Sequence, residues 1–280
     1  MSDPAAVVDV SSWVPEEDEQ LGARDKVWMR DGRGDDAVWW LFKKPRSTGL
    51  PEIGADLWAE VLASCVAALL PVPAAEARFA SWDSEHGVIS HRVGGTLVHG
   101  NELLWLRNDQ YERGRLGPVP GYDLDSIAEV LHDYVGSEPG LSAFDSFAGY
   151  LMFDALIGNT DRHHENWAVV DAERSLAPTY DHGASLGFNV PREKRLLVVE
   201  VAGRGSARHF PGKPDLVTLA RQSLQRVDVS VRDLWLGRVD GLDVKDVQAA
   251  VAAVPEGWMS EGARTFVVDF IATNRRRLLR

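Results

Sequence analysis

The chain has 280 residues, is 45% hydrophobic and carries a formal net charge of -12, which suits a large core in two lobes or one big domain and excludes a disordered chain. That acidity argues against a duty based on coating nucleic acid or anionic lipid, since both need a basic face. The single cysteine, Cys65, lies in an alanine-rich apolar stretch, so there is no disulfide framework and no cysteine-based zinc site; a buried small thiol is expected. The most apolar window, residues 61–75, is interrupted by Pro71 and Pro73 and is too short to span a bilayer. The start, MSDPAAVVDV, has no basic region before an apolar core and is not a secretory signal, so a cytoplasmic, membrane-free protein is expected.

In chain order, the first ninety or so residues form a strand-rich unit with one helix. A glycine step, Leu21-Gly22-Ala23, comes first. Residues 27–29 and 38–42 are short runs rich in Val, Trp and Phe around the turn-forming DGRGDD, which predicts a hairpin. Leu57, Val61, Leu62, Cys65, Val66 and Leu69 recur at helical spacing, predicting a helix between residues 53 and 70 that stops at Pro71. Strands are predicted at residues 76–82 and 87–93, with DSEH turning between them, and Gly94-Gly95 is the expected joint to a mainly helical remainder. There, GRLGPVPGYD predicts a long loop between helices, and residues 125–134 predict a helix. A stronger helix follows Ser142, its expected cap; Phe144, Phe147, Ala148, Leu151, Met152, Ala155 and Leu156 make a single apolar stripe. Residues 216–280 are predicted as three helices, broken near residues 227–230 and at Pro255-Glu256-Gly257, ending in NRRRLLR, whose cations suit a helix C-terminus. Neither an internal repeat nor a low-complexity segment is present.

The strong stripe delivers the chain into residues 159–181, NTDRHHENWAVVDAERSLAPTYD. Here Asp161 is followed five positions later by Asn166, then by a short apolar run and, beyond a turn, by Asp181. Phosphoryl transfer from ATP asks for those residue types in that order: a carboxylate beside the acceptor hydroxyl, then an amide and a carboxylate oxygen to hold magnesium on the phosphates. Separately, the aspartate is an ordinary helix cap and the asparagine an ordinary turn former. Together with Asp181 on a returning segment they favour kinase chemistry.

A kinase also needs a cation for the α and β phosphates. Lys43 in WWLFKKPR shares a strand face with Leu41, opposite Trp40 and Phe42, so only one of Lys43 and Lys44 can point into a cleft. Glu60 on the predicted helix is the candidate to orient Lys43, with Glu52 and Asp56 as competitors. LGARDK, residues 21–26, offers a glycine and a lysine to a loop over phosphates, though one glycine is a weak signal. His163 and His164 with Asp161, Asp181 and His182 suggest a rival, a metal-dependent hydrolase, which leaves Asn166, Lys43 and Glu60 unused. The dispersed tryptophans, such as Trp39, Trp40, Trp58, Trp82, Trp105 and Trp167, are expected in the core rather than as base-stacking platforms.

IGNTDRHHENW followed by LAPTYD resembles the catalytic and metal-binding segment of the HipA-like serine/threonine kinases of bacterial toxin–antitoxin systems and their relatives; LFKKP is similar to their lysine strand, LGARDK to their phosphate loop, and ISHRV falls at their interlobe hinge. The resemblance spans residues 19–280 and implies an α+β, two-lobed protein-kinase-like fold, with a β-rich N-lobe over residues 1–92 and a helical C-lobe over residues 93–280. It implies Asp161 as catalytic aspartate, Asn166 and Asp181 as magnesium ligands, Lys43 as the ATP-phosphate lysine, and a nucleotide site lined by residues 163–166 with Tyr180 and Asp181, His163 among them. Gly22, Ala23 and Lys26 would cover the phosphates, and His91, Arg92 and Val93 would meet the adenine through backbone groups. The implied cofactors are ATP and Mg2+, and the implied partners a protein substrate with a Ser or Thr acceptor and an antitoxin-like protein. The best-known members carry an extra N-terminal subdomain and a regulatory serine before the loop glycine; here about twenty residues precede the loop and EEDEQLG stands in that place, so neither property carries over. A small-molecule kinase of antibiotic or lipid type and a nucleotide-binding pseudokinase module share the phosphate machinery and stay open. Acceptor specificity is expected around the basic loop GRGSARHFPGK, residues 203–213, where Arg204 and Arg208 suit an acidic or phosphorylated partner.

Overall fold

The computed structural model describes residues 6–18, 26–32, 37–46, 52–115 and 117–280. The phosphate-loop candidates Gly22 and Ala23, and most of the DGRGDD turn, lie outside the described residues. The N-terminal part holds β1 (Val8–Asp9), β2 (Val14–Asp18), β3 (Lys26–Asp31), β4 (Val38–Lys43), α1 (Ala55–Leu69), β5 (Ala77–Trp82) and β6 (Glu85–His91). These strands form one sheet in the order β1-β5-β6-β4-β3-β2, antiparallel apart from β1 against β5. Strand alternation sorts its faces. Trp40, Phe42, Met29, Ile89 and Ala80 bury together on one side, while Phe79 and Val88 join α1 on the other. Lys43 pairs with Val88 in register, so it points to the α1 side.

The remainder holds β7 (Leu97–His99), α2 (Gly100–Arg107), α3 (Leu124–Val130), α4 (Ala143–Ile157), β8 (Ala168–Val170), β9 (Ser175–Leu176), α5 (Val198–Arg204), α6 (Leu216–Leu224), α7 (Val229–Asp240), α8 (Val244–Ala252) and α9 (Glu261–Leu278). A three-stranded sheet, β7-β8-β9, sits where the helical part begins. The two parts are tied by Glu52, which accepts from Arg195 at 2.9 Å and from Ser260, and by His86 stacked on Trp258 at 4.2 Å between ring centres. Among the described residues no helix is long and apolar enough to cross a membrane.

Several predicted elements differ from the observed ones for tertiary reasons. The helix expected over residues 125–134 ends at Val130, because the backbone of Tyr134 and Val135 is drawn into bonds with Ala143, Arg174 and Leu176. The C-terminal region holds four helices rather than three. Gly241 ends α7, and the carboxylate of Asp243 caps α8 by accepting from the Lys245 N–H at 2.9 Å. The turn between β5 and β6 is shorter than DSEH, since Asp83 and Ser84, both at positive φ, make it alone. The stripe on α4 is not one-sided: α6, α7, α9 and β9 surround the helix and bury nearly all its residues. The terminal arginines, which an acidic chain would ordinarily leave as solvated helix-end charges, bind neighbouring elements: Arg275 donates to the Val239 and Asp240 carbonyls, and Arg277 to the Asp215 carboxylate at 2.7 Å.

One buried network fixes where α4 sends the chain. Ser142 and Asp145 form a capping box at its start, and Gly158, at φ 67°, ends it in the left-handed region. A β-carbon at Gly158 would stand 2.5 Å from the Phe270 ring, so glycine is required on both counts. Asp154, the one acid in the apolar stretch FAGYLMFDALIG, accepts two bonds of 2.8 Å from the Arg162 guanidinium and one from the Asn159 amide. Arg162 also donates to Thr179 Oγ1 at 2.8 Å and to the Asn166 carbonyl. Burial disfavours its charge, but Asp154 outweighs that and raises its pKa.

Two outcomes follow from this network. Asp154→Asn leaves a buried guanidinium without its counter-charge and is expected to cost about 3–5 kcal/mol in urea unfolding; a change near zero would show that the network does not carry the loop. Burial also pushes the imidazoles of His163 and His164 down to about 4 and that of His182 to about 3, from 6.5 when unfolded. The unfolded chain therefore takes up these protons first as the pH falls. The stability they contribute is complete above pH 6.5 and drains from there to about pH 4 for His163 and His164 and to about pH 3 for His182. Unfolding midpoints measured across that window, without nucleotide or metal, should fall, and His164→Gln should make the fall shallower.

Candidate active site

The cleft beneath the sheet is a cavity of about 430 Å³ lined by residues from both parts of the molecule. The sheet supplies Lys26, Trp28, Leu41, Lys43 and Ser90, the connection His91, Arg92 and Val93, and the helical part His163, Asn166, Tyr180 and Asp181. Register explains the sheet's share. Lys26 pairs with Lys43 and Trp28 with Leu41 on adjacent antiparallel strands, so all four side chains emerge on one face.

At the floor, the Lys43 ammonium lies 2.9 Å from Glu60 Oε1 and 3.0 Å from Asp181 Oδ1, with Lys43 and Glu60 each 2% exposed. Of the three carboxylates considered as its partner, only Glu60 contacts Lys43. Asp56 faces Arg46, and Glu52 goes to Arg195. Asp181 stands at φ 59°, a left-handed conformation that aspartate tolerates better than most residues. Its second oxygen is 4.0 Å from Lys26 Nζ.

Asn166 is fixed from both sides: its N–H donates to the His163 carbonyl at 2.9 Å and its Nδ2 to the Asp161 carbonyl at 2.8 Å. With the amide nitrogen so engaged, the side-chain oxygen is the end left to face the cavity, as a hard cation requires. Asn166 and Asp181 thus offer an amide and a carboxylate oxygen to one space, a donor set that fits Mg2+. The rival histidine cluster does not converge. The His163 and His164 rings stand 82° apart, His164 Nδ1 pairs with the Tyr111 hydroxyl at 2.6 Å, and His182 with Thr179 at 3.0 Å.

Asp161 stands next to the cavity rather than in its lining. Its N–H donates to the Asn159 side chain at 3.1 Å, and its Oδ1 meets His209 Nε2 at 2.7 Å and Arg208 Nη2 at 2.6 Å. Burial raises its carboxyl pKa, but the His209 hydrogen bond and the Arg208 charge more than offset this and hold it below the usual carboxylate range. Tyr180 closes the far side, its hydroxyl donating to the Glu165 carbonyl at 3.0 Å. At the connection, the N–H groups of His91 and Arg92 are taken by the carbonyls of Glu76 and Trp39, at 2.7 and 3.0 Å. The carbonyls of this stretch and Val93 are what it can offer a base. A larger depression of about 890 Å³ behind it holds none of Lys43, Asp161, Asn166 or Asp181.

Sequence reasoning did not single out Asp154, Arg162 or His209. A lone acid inside the apolar helix and an arginine adjoining the aspartate were readable signals for the first two. His209 had none, because 48 residues separate it from its partner.

The chain matches the family model of HipA-like C-terminal domains over residues 20–237. A Sinorhizobium fredii protein, Y4dM, whose name carries the word kinase, is 23% identical over 216 residues, covering 67% of this chain and 50% of its own; the chain thus spans about half the length of that curated relative. The crystal structure of the Helicobacter pylori proinflammatory kinase CtkA superposes with a TM-score of 0.73 at 16% identity, covering 98% of this chain and 96% of CtkA. Shewanella oneidensis HipA, solved with HipB and operator DNA, gives 0.58 at 12% identity, covering 95% and 66%. At those identities the likeness speaks for the fold, which is protein-kinase-like, a β-sheet part followed by a helical part. With the family model spanning most of its length, the chain belongs to the HipA-like C-terminal domain family.

Proposed function

We propose that this chain is an ATP- and magnesium-dependent kinase that transfers the γ-phosphoryl group to a Ser or Thr hydroxyl of a protein. The observation that carries this reading is the Lys43 ammonium held between Glu60 and Asp181 at the floor of a cavity that also receives Asn166. A buried lysine with two carboxylates is costly unless it serves a charged ligand, and triphosphate is the ligand this geometry suits. Residues 1–92 and 93–280 act as the two lobes, with His91, Arg92 and Val93 against the adenine and Gly22, Ala23 and Lys26 over the phosphates.

In this mechanism Lys43 binds the phosphates and Glu60 sets its direction. Asn166 and Asp181 would hold magnesium, which would supply positive charge to the phosphate oxygens. Asp161 accepts a hydrogen bond from the acceptor hydroxyl and aims its oxygen at the γ-phosphorus. The new O–P bond forms as the bond from phosphorus to the β–γ bridging oxygen breaks, ADP leaves with that electron pair, and the hydroxyl proton passes to the Asp161 carboxylate. His163 is uncharged at neutral pH because burial pushes it down to about 4, so it adds no competing cation. An antitoxin-like partner is the corresponding proposal for binding and rests on the HipA neighbour alone.

The test is labelling with radioactive ATP and magnesium in a cell lysate, with the labelled species identified by mass spectrometry. Asp161→Asn should lower transfer by about 10²–10⁴-fold while nucleotide binding persists. Asp181→Asn should abolish transfer and weaken magnesium-dependent nucleotide binding. Labelling that survives both substitutions would remove this assignment.

A further inference from the structure

Two side chains from one loop meet Asp161, and they differ in kind. His209 is built in: it is 7% exposed, and its Nδ1 accepts the Gly117 N–H at 3.2 Å. Its Nε2 faces Asp161 Oδ1 at 2.7 Å, and Arg208 Nε lies 3.2 Å from that same ring nitrogen. Arg208 reaches the same oxygen at 2.6 Å with a side chain that is 45% exposed. A carboxylate that is to take a hydroxyl proton needs one fixed donor to orient it, and His209 meets that need. A second, full charge on the same oxygen makes it a weaker base and would compete with a hydroxyl for it. Half-exposed ion pairs are weak and exchange partners readily.

The loop has a direction of charge as well. Residues 203–213, GRGSARHFPGK, carry Arg204, Arg208 and Lys213 and no carboxylate, in a chain whose net charge is -12. Whatever approaches Asp161 from the loop side meets a locally basic segment on an acidic protein. Arg204 is exposed and holds Glu200 at 3.3 Å, whereas Arg208 is the cation aimed at the reacting position.

We propose that Arg208 determines acceptor choice by reading an anionic group beside the acceptor hydroxyl. A carboxylate or phosphate on the incoming peptide draws the guanidinium from Asp161, and the freed carboxylate then takes the hydroxyl. Arg208 stays protonated throughout and only changes partner. The acceptor class is therefore a Ser- or Thr-containing peptide with an acidic or phosphorylated neighbour. This inference rests on the kinase reading above.

The experiment uses the purified full chain with ATP and magnesium, following both ADP release and peptide phosphate. The peptides carry one Ser or Thr flanked by neutral residues, by Asp or Glu, or by phosphoserine. The expected result is a kcat/KM at least about tenfold higher for one or both anionic sets, and the two sets distinguish carboxylate from phosphate. Arg208→Gln should erase the preference, making the neutral and anionic sets equal because Asp161 is then free for all of them, and Arg208→Lys should keep part of it. Equal use of all peptides by the unmodified protein overturns the inference, as does an Arg208→Gln protein that loses rate on every set by the same factor. ADP release with no peptide labelled overturns it while leaving the kinase reading in place. Neither ADP release nor labelling removes the kinase reading and the inference together.

Discussion

A single buried guanidinium, Arg162, holds three separate stretches of chain in one place. It takes the Asp154 carboxylate from the central helix, the Asn166 carbonyl from the loop and the Thr179 hydroxyl from the returning segment. A charge removed from water to this extent is tolerated only if every donor finds a partner, so the geometry around it is over-determined. Asp161 precedes it, Asn166 presents its carbonyl to it and Asp181 lies two residues beyond Thr179. The oxygen-bearing side chains of the site are thus positioned by a residue that does not itself line the cavity.

The charges of the cleft are arranged across the chain rather than along it. Asp181 faces Lys43 and Lys26 from the sheet, and Asp161 faces Arg208 and His209 from a distant loop. Each carboxylate is answered by a cation from another segment, with His209 as a further hydrogen-bond partner of Asp161, which keeps a site of several charges compact in a strongly acidic protein. On the kinase reading, the same cations address the phosphates on one side and the acceptor on the other. Glu60 is the member of this set that does neither, and its place behind Lys43 is that of a support.

Much of the site was legible because its signals are local. Strand alternation put Lys43 with Leu41 and against Trp40 and Phe42, and the register of β4 with β3 and β6 agrees. Of the three spaced residues, Asn166 and Asp181 line one cavity and Asp161 stands beside it. What failed was set by contacts over long separations: the early end of α3, where Val135 pairs with residues near 175, the burial of α4 on every side, and the arginines of α9 claimed by α7 and by Asp215. The extra break before α8 was missed although Gly241 and Asp243 carry it, since a glycine within a periodic run stops a helix only when its surroundings allow.

The order of chemical groups, the faces of the strands and the capping of the central helix were decided by the sequence itself, because each depends on neighbours within a few positions. Which carboxylate would meet Lys43, and that Arg208 and His209 would close on Asp161, was decided only when the chain had folded. Those pairings join residues 17 and 48 positions apart and 47 for Arg208, and nothing in local conformational preference relates them. Packing does, by bringing charged groups of distant segments within reach of one another as the chain closes around them.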